Sequence, residues 1–86
     1  MTFQGALIRE QGVTFAIVIV KHHVIQNSFE ANRSITSFRP AFWGVPVVLM
    51  AQDGRGTPTY YGRRDIVGFL ANTPMECIPW QQFTLA

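Results

Sequence analysis

Two adjacent arginines stand where the chain could bind an anion. Arg63 and Arg64 precede Asp65 at the start of an apolar helical segment. A helix start presents free backbone amides to an anion, and arginine adds a planar fork that binds phosphate or carboxylate. The pattern predicts a candidate anion site at these two arginines. The alternative is that they are solvated or pair with Asp53, Asp65 or Glu76, as basic residues at surface turns commonly do.

Two tyrosines directly before these arginines widen the candidate site. Exposed aromatic rings beside cations stack on bases in proteins that bind single-stranded nucleic acid, so Tyr60 and Tyr61 could serve that purpose. Successive residues of a strand point to opposite faces, however, so one ring enters the core and only the other is free. The alternative is that both tyrosines mainly pack. A net charge of +2 is far from the clustered positive charge of a dedicated nucleic-acid-binding protein.

Metal binding and catalysis draw no support from the residue pattern. His22 and His23 are expected at the end of a strand. Successive side chains of a strand point to opposite faces, so these two histidines do not easily bind one ion together. A zinc site needs three or four ligands, and Cys77 with one histidine falls short. The carboxylates are scattered without motif spacing, and Cys77 is expected to be a small buried hydrophobe. We therefore expect no metal, no cofactor and no enzymatic activity.

The composition instead favours binding to protein. Hydrophobic residues make up 48% of the chain and charged residues only 14%, so little polar surface is available. Some apolar surface is therefore expected to be covered by a second copy or a partner protein. Phe42, Trp43 and Trp80 are the candidate interface residues, because a chain of 86 residues has limited room to bury them.

The same composition limits where such a protein works. A single cysteine excludes an internal disulfide and gives no sign of an oxidising compartment. No apolar run approaches the ~20 residues of a membrane-spanning helix, and no basic stretch precedes an apolar one at the N-terminus. We expect a single domain over residues 1–86, located in the cytoplasm and without a membrane partner.

One strand organises the predicted fold. Val13–Val20 is apolar apart from Thr14, and most of its residues are β-branched or aromatic, which suits a packed strand. Phe15–Val20 does not alternate, which is typical of a strand covered on both faces. A connection ending in Gly12 predicts a hairpin with the preceding strand, Gln4–Glu10, because glycine accepts positive φ. Lys21–Ile25 either continues the central strand or bends away.

The remaining pattern supplies two helices and three more strands. Asn27 and Glu30 form a capping-box pattern, and Pro40 predicts that the first helix stops near Phe38. The further predicted elements are an exit at Ala41–Gly44, a strand at Val45–Ala51, a turn at Gln52–Pro58, an edge strand at Thr59–Tyr61, a helix from Gly62 to Asn72 and a docked tail at Met75–Ala86. If the third and fourth strands pair, Arg55 in their turn lies too far from Arg63 to join its site.

The sum is an α+β fold, β-β-α-β-β-α-β, with a mixed sheet of four to five strands and two helices. Its part over Val13–Ala71, with Pro46 entering a strand, is similar in outline to the thioredoxin-like fold, in which a proline, often cis, precedes the corresponding strand. No Cys-x-x-Cys follows the first strand here. The resemblance implies, as an alternative, a redox-inactive thioredoxin-like protein.

Three functions thus remain open after the sequence alone. The first is a non-enzymatic binding or regulatory module that self-associates or binds a partner protein. The second is anion or nucleic-acid binding through Arg63 and Arg64 with Tyr60 or Tyr61. The third is the thioredoxin-like alternative.

Overall fold

The computed structural model describes residues 1–10 and 12–85. They form a five-stranded mixed sheet in the order β4-β3-β2-β1-β5, with helices on both faces. The strands are β1 (Thr2–Glu10), β2 (Val13–Ile19), β3 (Val47–Gln52), β4 (Pro58–Tyr61) and β5 (Gln81–Thr84). The helices are α1 (His22–Gln26), α2 (Ser28–Phe38) and α3 (Arg64–Ala71), with short 3-10 helices at Arg39–Phe42 and Met75–Cys77. The predicted α+β class and order of elements are confirmed.

β2 is the central strand, as its apolar run predicts. It pairs antiparallel with β1, from Gly5 opposite Val18 to Glu10 opposite Val13. On its other side it pairs parallel with β3. A parallel pair needs a long connection, and α1, α2 and the first 3-10 helix supply it.

Both faces of β2 are covered, which explains why its sequence does not alternate. On one face Phe15 and Ile17 pack with Ile66 and Leu70 of α3. On the other face the core includes Ala16, Val18, Ala31, Phe42 and Leu49. The second face lies under α1, α2 and the 3-10 helix that follows them.

The helical connection decides one open alternative and differs from its predicted form at its far end. α1 begins at His22, so of the two alternatives for Lys21–Ile25 the chain bends away after β2. Asn27 then caps α2, since its Oδ1 accepts a hydrogen bond from the Glu30 amide at 3.1 Å. At the far end the chain does not leave the helix as an open loop. It tightens into the 3-10 helix at Arg39–Phe42, because proline fits the first turn of a helix.

The two ends of the chain meet at the β5 edge. The predicted tail supplies β5, which pairs with β1 from Thr2 opposite Thr84 to Gly5 opposite Gln81. The predicted hairpin is confirmed by the pairing of Glu10 with Val13. Gln11 in its turn and Ala86 at the end of the tail lie outside the described residues.

One feature expected of the thioredoxin-like alternative is not found. The part of the chain described here contains no cis peptide bond, so the bond before Pro46 is trans. The order β2-α-β3-β4-α3 is as the outline requires. The likeness therefore rests on the order of the elements alone.

Candidate binding surfaces

Arg63 is already engaged within the chain. Its Nε and Nη2 donate to the two carboxylate oxygens of Asp65 at 2.8 and 2.7 Å, and both side chains are exposed. The hydrogen bond from Arg63 lowers the pKa of the Asp65 carboxyl to about 2. The same contact raises the pKa of the Arg63 guanidinium. This bidentate pair neutralises half of the predicted cationic site.

The start of α3 holds its own anion. The backbone amide of Ile66 also helps to hold the Asp65 carboxylate ionised. An acidic side chain in the first turn of a helix is stabilised by the positive end of the dipole. The position that a bound phosphate would take is therefore filled by Asp65, and Arg64 is the remaining exposed cation of the predicted pair.

Arg55 lies away from this helix start, as the hairpin predicts. β3 pairs antiparallel with β4, with Gln52 opposite Pro58 at one end and Leu49 opposite Tyr61 at the other. Arg55 lies in the turn beyond the first of these pairs, where its amide donates to Asp53 Oδ1 at 2.8 Å.

The two tyrosines of β4 lie on opposite faces of the sheet, as strand geometry requires. Tyr60 packs on the α3 face, where burial raises the pKa of its phenol. Its hydroxyl is buried and has no hydrogen-bond partner among the described residues. Tyr61 packs on the other face and donates to Asn32 Oδ1 at 3.3 Å. Neither ring is free to stack on a base as the nucleic-acid hypothesis requires.

The three aromatic interface candidates differ in how far they are buried. Phe42 is completely buried, so its prediction as an interface residue was wrong. It packs between Phe83 and Phe3, with ring centroids at 4.9 and 5.8 Å. Trp80 is partly buried on the α3 face, and its Nε1 donates to the Met75 carbonyl at 3.2 Å. Trp43 alone of the three is exposed, with 83% of its surface accessible.

The backbone around Trp43 explains its exposure. Trp43 ends the 3-10 helix with φ 54° and ψ 32°, a left-handed backbone conformation that residues other than glycine rarely adopt. The Trp43 amide and the two that follow it are hydrogen-bonded, since Trp43 and Gly44 donate to the Arg39 carbonyl and Val45 donates to that of Phe42. The anchored Phe42 ring and this turn together hold the indole out in solvent.

The histidines and the cysteine do not converge on a metal site. His22 and His23 lie in the first turn of α1. The prediction that they point to opposite faces of a strand was therefore wrong. Cys77 is exposed, so its prediction as a buried hydrophobe was wrong. Residues 1–10 and 12–85 hold no group of three His, Cys, Asp or Glu side chains placed to bind a metal. No helix of the described chain is long and apolar enough to cross a membrane.

A groove that the sequence reasoning missed runs between β4 and α3. Tyr60, Val67, Ala71, Met75 and Glu76 line it. Val67 and Ala71 are four residues apart and lie on one helix face, beside the face that Ile66 and Leu70 bury. That second apolar stripe was the available signal, but it is too short to be separated from the core face by periodicity alone.

Comparisons with protein-family models, with curated proteins and with solved structures found no significant match. The functional argument for this chain therefore depends on its own geometry.

Proposed function

We propose that this domain is a small non-enzymatic module that binds protein through Trp43, the bound protein being a partner or a second copy. The observation that carries the proposal is the exposed indole on a left-handed backbone. Tryptophan is enriched among the residues that dominate binding energy at interfaces. Strained backbone conformations concentrate at sites where function requires them.

The way Trp43 is held supports the same proposal. An interface residue that is already fixed loses little conformational freedom on binding. The turn at Trp43 is fixed by hydrogen bonds and by the buried Phe42 ring, so the backbone that carries the indole is already ordered before binding. The low charge content agrees with a surface that associates with protein. Cytoplasmic location belongs to the proposal, since one exposed thiol suits a reducing compartment.

Replacing Trp43 by glycine tests the proposal without damaging the fold. Glycine adopts positive φ at no steric cost, so Trp43→Gly should fold at least as stably as the wild type. We expect it to weaken binding by about thirtyfold or more, as loss of a dominant interface residue does. The matched control is Phe29→Ala, because Phe29 is 72% exposed at the start of α2.

Fluorescence reads the same contact directly. Trp80→Phe leaves Trp43 as the single tryptophan, whose emission should shift to the blue when the indole is covered. We expect this shift as protein concentration rises, or on addition of a candidate partner, and not in Trp43→Gly. Binding that is unchanged in Trp43→Gly would place the contact elsewhere and contradict the proposal.

A weaker alternative, anion binding through Arg64, makes a different prediction. Affinity for an anionic polymer such as single-stranded DNA would fall steeply with salt and would be lost in Arg64→Ala. Binding through Trp43 is expected to depend little on salt.

A further inference from the structure

The outer edge of β4 offers hydrogen-bonding groups that nothing in the described chain uses. The Asp53 amide donates to the Thr57 carbonyl at 3.0 Å, so Thr57 directs its backbone groups toward β3. Because these directions alternate along an antiparallel strand, Thr59 and Tyr61 also face β3. Pro58 and Tyr60 face outward.

The Gly62 N–H also faces outward, because it belongs to the same planar peptide as the Tyr61 carbonyl, which faces β3. No turn or loop backbone hydrogen bond among the described residues involves Tyr60 or Gly62. Proline contributes only a carbonyl, so the edge offers the N–H groups of Tyr60 and Gly62 and the C=O groups of Pro58 and Tyr60.

The groove beside this edge is closed on one side by α3, which runs back along β4. The helix begins directly after the end of β4, and the chain beyond it returns to the start of β4. There Met75 Sδ accepts from Gln52 Nε2 at 3.5 Å, and Gln52 lies opposite Pro58. Arg64 therefore lies near one end of β4, and Glu76 near the other.

We infer that a second copy of this chain binds here, pairing its β4 antiparallel with this β4 about a two-fold axis at Tyr60. In that register the two Tyr60 residues exchange N–H···O=C bonds, and each Gly62 amide faces a Pro58 carbonyl of the other copy. The result is four main-chain hydrogen bonds and one continuous sheet across two copies.

Side chains on both faces fit the same register. On the α2 face each Thr59 lies opposite Tyr61 of the other copy, and pairs of β-branched and aromatic residues stabilise neighbouring strands. On the α3 face the two grooves meet, and the stripe of Val67 and Ala71 faces its own equivalent.

Charge complementarity selects a second copy over an unrelated strand. A two-fold axis through the sheet makes the two α3 helices antiparallel, so Arg64 of each copy lies near Glu76 of the other. Within residues 1–10 and 12–85 the one ion pair is Arg63–Asp65, so neither Arg64 nor Glu76 is paired in the single chain. Glu76 is the charged residue of the groove lining.

This inference goes beyond the proposed function at Trp43, because it adds a second binding surface at β4 and assigns that surface to a second copy of the chain. A charge exchange tests it at exposed positions, where folding is not at risk. Arg64→Glu and Glu76→Arg should each weaken the dimer roughly tenfold, because each turns two symmetric attractions into repulsions. The double variant should restore the dimer to within about threefold of the wild type. Sedimentation equilibrium over a concentration series gives the dissociation constants.

The matched control is Arg33→Glu, an exposed change of equal charge on α2 that should leave the dimer unchanged. A dimer equally stable in all four variants would overturn the inference, and so would a double variant no stronger than either single one.

Hydrogen exchange reads the strand pairing directly. The Tyr60 and Gly62 amides should exchange rapidly in dilute protein and slow down as the dimer forms. A second edge provides the internal reference. Met1 and Leu85 bond to each other through their backbones, so the odd residues of β1 face β5, whose pairing stops at Gly5. The amides of Leu7 and Arg9 should show no such slowing.

The outcomes separate this inference from the proposed function at Trp43. A dimer in which the Tyr60 amide still exchanges rapidly would overturn the β4 interface and leave binding through Trp43 intact. A chain that stays monomeric at every concentration would overturn the dimer, and the Trp43→Gly comparison with a partner would then decide the proposed function alone.

Discussion

At the scale of single residues, the pair of Arg63 and Asp65 decides which cation is left for binding. Asp65 has a pKa of about 2, held down chiefly by its hydrogen bond from Arg63. Arg63→Ala should raise that pKa toward the ordinary value of ~3.9, measured by NMR titration of the carboxyl carbon. A pKa that stays near 2 would show that the helix amides hold the charge without Arg63.

The sign of the pH dependence follows from the same shift. A carboxyl whose pKa is lower in the folded state stabilises the fold above its unfolded pKa, and the contribution disappears as pH falls through the folded value. The stabilisation should be complete above about pH 4 in the wild type and lost as pH falls toward 2. Asp65→Asn should show no such dependence from this group.

Residue patterns predicted some of these roles and missed others for physical reasons. Strand alternation predicted correctly that Tyr60 and Tyr61 separate. It could not show that Phe42 is buried and Trp43 exposed, because that depends on a left-handed conformation of Trp43 itself, which the adjacent Gly44 does not indicate. The pattern left open whether Lys21–Ile25 continues β2 or bends away, so it did not place the two histidines in a helix.

At the scale of elements, the close pairing of β1 with its two neighbouring strands, β2 and β5, depends on Gly5. A Cβ at Gly5 would lie 2.5 Å from the Ile17 carbonyl oxygen, whereas a Cβ at Gly68 of α3 would meet nothing within 4 Å. Gly5→Ala should therefore lower the free energy of unfolding by about 1–3 kcal/mol. Gly68→Ala should raise it by up to about 1 kcal/mol, because alanine favours helix.

Urea unfolding measures the free energy of unfolding of both variants. Each variant is the control for the other, because both replace a glycine by alanine. Equal effects in both would contradict the packing described at Gly5. The sequence predicted the hairpin of β1 with β2, but it did not identify Ile17 as the residue whose backbone lies against Gly5. The strands and helices themselves were predictable, since β2 reads as a continuous apolar run and Asn27 as a cap.

At the scale of the whole molecule, the sheet has two unlike edges. β5 ends opposite Gly5, whereas β4 ends beside an apolar groove with unpartnered backbone groups. An edge strand of this kind is a template for another chain. The composition predicted an apolar surface to be covered, but the sequence could not place it because strand order depends on long-range pairing.

The measurement that tests this account most directly is the molar mass in solution, by light scattering over a range of concentrations and at two salt concentrations. We predict a mass that rises from the 9.7 kDa of one chain to twice that value at both salt concentrations. A mass of 9.7 kDa at every concentration and both salts would contradict self-association and leave a partner protein as the occupant still to be found through Trp43.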